Sequence, residues 1–331
     1  MKQYLIYVLC LCTVFSVTTQ ELPELDIDLK NYEYPYNVNF LELNIQNSTY
    51  SMAYMHIEAE NPNGETVVLL HGKNFNGAYW QTTIDTLQKS GYNVLVPDQI
   101  GFGKSSKPEH FQYTFQQLAE NTKKLIDTLG IAKTSILGHS MGGMLATRFA
   151  LMYAEITSKL VLLNPIGLED WKTKIPYQSI DDWYEQELDK NYQGIKSYQQ
   201  ESYYAGDWND DYAQWAKLLA GWTLNEKYPL IAWNAALTYD MILTQPVVYE
   251  FKNLQMPTLL IIGTRDRTAL GKNLVSKKVK ASMGLYDELG EITENKIPNA
   301  KLVEIPDTGH LPHIEAFDKF TAALLPYLKN K

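Results

Sequence analysis

Gly138-His139-Ser140-Met141-Gly142 sets a serine between two glycines, directly after the apolar run Ser135-Ile136-Leu137 and ahead of a helix-like stretch from Gly143 to Ala150. A tight strand-to-helix turn of this kind lifts a serine hydroxyl clear of a sheet. It also places that hydroxyl at a helix N-terminus, where the dipole favours developing negative charge. Cβ atoms at 138 and 142 are expected to collide with neighbouring backbone, which accounts for glycine at both positions. The chemistry implied is nucleophilic attack on a carbonyl. It needs a base, an acid to orient the base, and donors for the oxyanion.

Each of these has a candidate at the end of an apolar run. His71-Gly72-Lys73-Asn74 follows the run that ends at Leu70. The backbone N–H of Lys73 and that of Met141 are predicted to form an oxyanion hole, each donor contributing about 3 kcal/mol in the transition state. Gly263-Thr264-Arg265-Asp266 follows the run Leu259 to Ile262 and offers Asp266 as the acid. The alternative for Asp266 is a solvated turn residue paired with Arg265 or Arg267. The preceding strand end carries Asn164-Pro165, with no carboxylate before Glu169. Asp307-Thr308-Gly309-His310 supplies the base: Nε2 of His310 is expected to reach Ser140 while its Nδ1–H is held by Asp266.

The remaining candidates are assigned elsewhere. His313 is expected to support the loop of His310, and the His139 side chain to point away from substrate. His56 and His110 stand in stretches with no other catalytic signal. Asp98, in Asp98-Gln99-Ile100-Gly101-Phe102-Gly103-Lys104-Ser105, lacks an elbow, so that loop reads as structural, with Phe102 near the pocket. The Lys73 side chain has two readings, contact with an anionic substrate or a direction into solvent, and solvent is the expectation.

These residues need a sheet whose strand ends share one edge. Phe40 to Ile45 and Tyr50 to Glu58 alternate as a hairpin. Continuous apolar runs at 67–70, 94–96, 135–137, 160–163, 259–262 and 302–305 suit strands buried on both faces. Helical stretches at 79–90, 115–129 and 141–153 lie between them, and 317–328 reads as a closing helix. Alternating strand and helix predicts an α/β fold with a doubly wound, mostly parallel sheet. Between 164 and 246 no strand-like run occurs, yet six of the seven tryptophans fall there: Trp171, Trp183, Trp208, Trp215, Trp222 and Trp233. This segment is predicted to be a helical cap inserted between core halves at 20–163 and 247–331. Most of its aromatics are expected to pack the cap onto the core and a few to line an apolar pocket.

Serine 140, aspartate 266 and histidine 310 run in the chain order Ser…Asp…His, and with the elbow and the oxyanion loop the chain resembles the α/β-hydrolase fold superfamily from about residue 35 to its end. The resemblance implies a cofactor-free hydrolase with no metal site. Serine at the elbow sets it apart from the haloalkane dehalogenases and epoxide hydrolases, which carry aspartate there. Lys73-Asn74 stands where lipases of the HGGG type have glycines, and Met141 where proline iminopeptidases have tryptophan. The group left contains carboxylesterases, C–C hydrolases of aromatic-ring degradation and cofactor-free perhydrolases. The expectation is a serine esterase acting on a small, partly apolar ester through an acyl-enzyme. The alternatives are a C–C bond hydrolase with the same triad and a non-catalytic ligand-binding member of the fold.

Composition is that of an ordinary globular protein with ample core. Of 331 residues, 45% are apolar and 20% charged, and the net charge of -9 is spread along the chain, which argues against nucleic acid as a partner. A small molecule is the expected partner, and the sequence leaves the oligomeric state open. Residues 1–19 begin with Met1-Lys2, continue with an apolar run from Tyr4 to Val17 and end in small residues, the pattern of a cleaved signal peptide. Export to the periplasm or beyond the cell follows, with membrane attachment only if the segment stays uncleaved. Both cysteines, Cys10 and Cys12, lie within it, so the processed chain is expected to hold no disulfide. Asn47-Ser48-Thr49 matches an N-glycosylation pattern, but a polar hairpin turn is the expectation there.

Overall fold

The computed structural model describes residues 22–330. The signal-peptide expectation and both cysteines lie outside that range.

Eight strands form one sheet among the described residues: β1 (Val38–Ile45), β2 (Ser48–Ile57), β3 (Thr66–Leu70), β4 (Asn93–Pro97), β5 (Thr134–His139), β6 (Thr157–Leu163), β7 (Thr258–Gly263) and β8 (Ala300–Ile305). Their spatial order is β1-β2-β4-β3-β5-β6-β7-β8, with β1 and β2 antiparallel to their neighbours and all pairs from β4 to β8 parallel. The helices of the core are α1 (Gln81–Lys89), α2 (Phe115–Thr128) and α3 (Met141–Met152).

The continuous apolar runs are explained by burial on two sides. Val68, Leu70, Leu95, Ile136, Leu160, Leu162, Leu260 and Ile262 face one cluster, which includes Phe115 and Leu118 of α2 and Phe149 of α3. Their neighbours Val67, Leu69, Val94, Val96, Leu137, Val161, Leu163, Leu259 and Ile261 face another, which includes Ile84 and Leu87 of α1. Side chains alternate between faces along a strand, so a strand covered on both must be apolar throughout. The hairpin β1–β2 turns at Gln46-Asn47, both with positive φ (50° and 59°), the polar turn expected there.

Between β6 and β7 the chain leaves the sheet and builds α4 (Ile180–Leu188), α5 (Tyr192–Ser202), α6 (Asp210–Trp222) and α7 (Tyr228–Thr244). Their starts are written locally. Ser179 and Asp182 form a reciprocal capping box at α4, and the Asn191 and Asn209 side chains accept backbone N–H groups at α5 and α6. The segment before β1 fastens this cap. Leu25 N–H donates to the Gly221 carbonyl (3.0 Å), and Trp222 Nε1 donates to the Asp26 carbonyl (3.1 Å).

After β7 come α8 (Lys277–Lys280) and α9 (Tyr286–Glu294). After β8 come α10 (Pro312–Glu315) and α11 (Phe317–Lys329). The closing helix was legible in the sequence. The two helices between β7 and β8 were not, because α8 is a single exposed lysine-rich turn and α9 is short.

Candidate active site

Strand register gathers the predicted residues. Leu70 of β3 pairs with Gly138 of β5, so the loop after β3 lies beside the elbow. His139 pairs with Leu163 of β6, Leu163 with Ile261 of β7, and Gly263 with Ile305 of β8. The C-terminal ends of β3, β5, β7 and β8, four of five neighbouring strands, thus deliver Lys73, Ser140, Asp266 and His310 to one edge, where an open α/β sheet binds its ligands.

The elbow is as tight as its glycines imply. A Cβ at 138 would lie 2.1 Å from the Gly142 carbonyl oxygen, and a Cβ at 142 would lie 2.2 Å from that of Leu70. Ser140 itself takes φ 56° and ψ -120°, a conformation rare for any residue with a side chain and held here by its surroundings. Its N–H donates to the Leu163 carbonyl, and its carbonyl accepts from Gly143 and Ile166. Met141 opens α3, so its N–H has no acceptor within the helix. A Cβ on Gly72 would lie 3.1 Å from Ser140 Cβ, which sets the loop carrying Lys73 against the nucleophile.

Asp266 and His310 are fully buried and joined through Oδ2 and Nδ1 at 2.6 Å. The carboxylate also accepts from Asn164 Nδ2 on Oδ2 (2.9 Å) and from the Thr268 N–H on Oδ1 (2.8 Å). Burial pushes its pKa up, but His310 and these donors outweigh burial and hold it below the ordinary value. Asp266 is thus an ionised orienter of the imidazole and not a solvated turn residue. Nε2 of His310 is buried without a hydrogen-bond partner among the described residues, leaving its lone pair for a hydroxyl proton.

Two further histidines brace the loops. His139 Nε2 lies 2.8 Å from the His310 carbonyl, so it carries the proton, and Nδ1 accepts from Tyr79 Oη at 3.0 Å. Tyr79 Oη in turn accepts the Gly72 N–H at 3.1 Å. A chain of hydrogen bonds therefore runs behind the serine from the oxyanion loop to the histidine loop. His71 accepts the Gln99 N–H on Nε2 and donates from Nδ1 to the Gly72 carbonyl. Asp98 accepts from Tyr34 Oη, Gly77 N–H and Lys104 N–H, which makes it a structural hub. His313 is buried against Trp80 and Tyr79 under the loop of His310.

Sequence reasoning missed two residues. Tyr203, at the C-terminus of α5, lies on His310: the rings stack at 4.7 Å, 26° apart. Its carbonyl accepts the His310 N–H at 3.0 Å and its hydroxyl accepts Asn74 Nδ2 at 2.9 Å. Asn164 was noted only for lacking a carboxylate, yet its amide bridges Asp266 and the Gly263 N–H (2.8 Å). The alternation of strand ends marked position 164 in the sequence, whereas nothing local marked Tyr203.

A cavity of about 740 Å³ lies between cap and core, lined by Lys73, Asn74, Phe102, Trp183, Trp222 and Tyr239, among others. Phe102 is where it was expected. Ser140 and His310 are not among the residues of its wall, and the core reaches it through the loop with Lys73 and Asn74, the loop with Gly101 and Phe102, and the loop after Asp266. The Lys73 side chain departs from expectation. It turns into the cavity and sets its Nζ 3.5 Å from the ring centre of Tyr239, because a half-buried stem is better packed on that ring than extended.

A family model of the alpha/beta hydrolase fold matches residues 65–317. The 2-hydroxy-6-oxononadienedioate/2-hydroxy-6-oxononatrienedioate hydrolase of Comamonas testosteroni is 30% identical over 284 residues, covering 81% of this chain and 88% of that protein. Lipase 1 of Psychrobacter immobilis is 26% identical over 326 residues, covering 94% and 93%. A crystal structure described as a probable hydrolytic enzyme from Pseudomonas aeruginosa PAO1 is 49% identical, with a TM-score of 0.92, and covers 93% of this chain and 99% of that one.

Proposed function

The chain belongs to the alpha/beta hydrolase fold family, and on that footing we propose that it is a serine hydrolase of carboxylic esters, working through an acyl-enzyme. Ser140 attacks the ester carbonyl as His310 Nε2 takes its proton, and Asp266 stabilises the imidazolium. The N–H groups of Lys73 and Met141 hold the oxyanion. The protonated His310 gives its proton to the leaving alcohol, and a water activated by the same imidazole then releases the acid and restores the serine. The observation that carries this reading is the 2.6 Å Asp266–His310 bond, with Nε2 unpartnered among the described residues and a serine at positive φ on the same sheet edge.

Replacing Ser140 by Ala is expected to lower turnover of p-nitrophenyl acetate by about a thousandfold or more. Labelling of the wild type by a fluorophosphonate probe, lost in Ser140→Ala, separates an enzyme from a ligand-binding member of the fold. Wild-type turnover unchanged by the substitution overturns the mechanism.

The likeness to the Comamonas hydrolase supports a second reading, C–C bond hydrolysis of a 2-hydroxy-6-oxo-dienoate by the same triad. Loss of the dienoate chromophore without turnover of simple esters would favour it. We also propose export through residues 1–19, on the basic, apolar and small-residue pattern of that segment. Amino-terminal sequencing of the protein from the exported fraction tests this, and an intact Met1 there would refute cleavage.

A further inference from the structure

The cavity wall holds a lysine, Lys73, with no ion pair among the described residues. Glu187 and Lys190, at the end of α4, pair through Oε1 and Nζ at 2.5 Å, and the Glu187 side chain is almost wholly buried. Lys190 Nζ also reaches Tyr239 Oη at 3.5 Å. Lys73 approaches the same tyrosine from the core, Nζ over the ring at 3.5 Å, with no carboxylate among the described residues paired to it. With Lys73 protonated, the three groups around this ring sum to a single excess positive charge. The other cations on the wall are occupied: Arg267 pairs with Asp287 at 3.1 Å and Lys272 Nζ donates to the Arg267 carbonyl, while Lys280 is exposed at the rim.

Position gives the excess charge a use. Lys73 offers its N–H to the oxyanion and its ammonium to the cavity, so the two contacts lie one lysine side chain apart. The Lys73 ammonium has a π face but no hydrogen-bond acceptor among the described residues, and a ligand carboxylate entering the cavity would supply one. We propose that Lys73, with Lys190 beside it, forms an anion subsite, and that the substrate is an ester bearing a second, free carboxylate a few bonds from the scissile carbonyl. This rests on the ester-hydrolase reading for its reaction, but not for the binding itself.

The site also couples binding to a proton. Burial pulls the Lys73 ammonium down to about 7, with Glu187 opposing that fall and Lys190 adding to it. The titratable groups facing it are therefore Glu187 and Lys190 from the end of α4 and Tyr239 from α7. An aliphatic dicarboxylate stays ionised through this range. Its binding should favour charged Lys73, weaken as pH rises through about 7, and draw a proton from buffer.

Two assays test the subsite. The first compares mono-p-nitrophenyl adipate with p-nitrophenyl hexanoate, a neutral ester of the same chain length. The wild type should favour the adipate ester in kcat/KM by about tenfold or more. Lys73→Met should abolish that ratio and Lys73→Arg should keep much of it. A wild type that prefers the hexanoate ester, or a Lys73→Met protein that keeps the ratio, overturns the proposal. The second assay measures adipate binding to Ser140→Ala protein by calorimetry at pH 6.5 and 8.5 in two buffers of different ionisation heat. Binding that is tighter at pH 6.5, with proton uptake, supports the subsite, and absence of binding at both pH values refutes it. If neither ester is turned over, the esterase reading fails alone, and calorimetry still decides the subsite.

Discussion

The ring of Tyr203 stacks on that of His310 with centroids 4.7 Å apart, so a residue of the cap forms one wall around the Asp266–His310 pair. The same tyrosine accepts Asn74 Nδ2 on its hydroxyl, which ties the histidine to the oxyanion loop. Tyr203→Ala is expected to lower kcat by roughly tenfold to a hundredfold, the scale of a misplaced catalytic group. Tyr203→Phe keeps the stack and loses only the Asn74 bond, so its loss should be smaller. Steady-state kinetics on p-nitrophenyl acetate rank the three proteins, and equal kcat values would contradict the stacking role.

Asn164 places a neutral amide where a carboxylate would stand 2.9 Å from Asp266. Asn164→Asp sets two buried carboxylates together, which raises the pKa of the pair. Asp266 in the wild type is held below its ordinary value, so its contribution to stability is present above about pH 4 and lost as pH falls further. In Asn164→Asp that loss should begin at higher pH, and the acid limb of the kcat profile should move up by about one unit or more. A profile identical to wild type would refute the coupling.

His313 packs against Trp80 with ring centres 4.5 Å apart, and neither of its nitrogens has a partner among the described residues. Burial pushes its pKa down to about 3, with His310 adding to the fall. An unfolded histidine takes up a proton below about 6.5, whereas this one resists until about 3. The unfolded state therefore binds more protons, and stability declines as pH drops through that window. His313→Phe should flatten the fall of Tm between pH 6.5 and 4, as thermal unfolding across that range would record.

At Gly309 a Cβ would lie 1.8 Å from the Tyr203 carbonyl oxygen. Gly309→Ala must push α5 off the histidine loop or break the His310 N–H bond to Tyr203. A loss of about 2 kcal/mol or more in unfolding free energy is expected, together with a fall in kcat. Denaturant unfolding and the ester assay measure the two effects, and wild-type values in both would remove the contact from the mechanism.

Ser140, Asp266 and His310 were legible because each follows its own apolar strand run, and parallel strands in one sheet must bring such ends together. The elbow glycines were legible for the same local reason. The direction of Lys73 was not, since its ring partner Tyr239 lies 166 residues away in sequence, on a cap helix whose docking no period reveals. Tyr203 was hidden likewise among 23 tyrosines. Asn164 lay in view, but its meaning depends on Asp266 reaching across from β7. What a strand end presents can be read along the chain, whereas what the cap brings down onto it depends on contacts between distant segments.

The bond from Trp222 to the Asp26 carbonyl closes 196 residues of chain. Contacts of such separation are the slowest to form, because loop entropy must be overcome before they add stability. Leu25 and Asp26 thus wait, during synthesis, for most of the sheet and the cap to emerge before their place exists. Fastening the cap is therefore tied to a segment made long before the cap itself, and a truncation that removed residues 22–30 would act on the cavity under the cap while leaving the sheet strands in place.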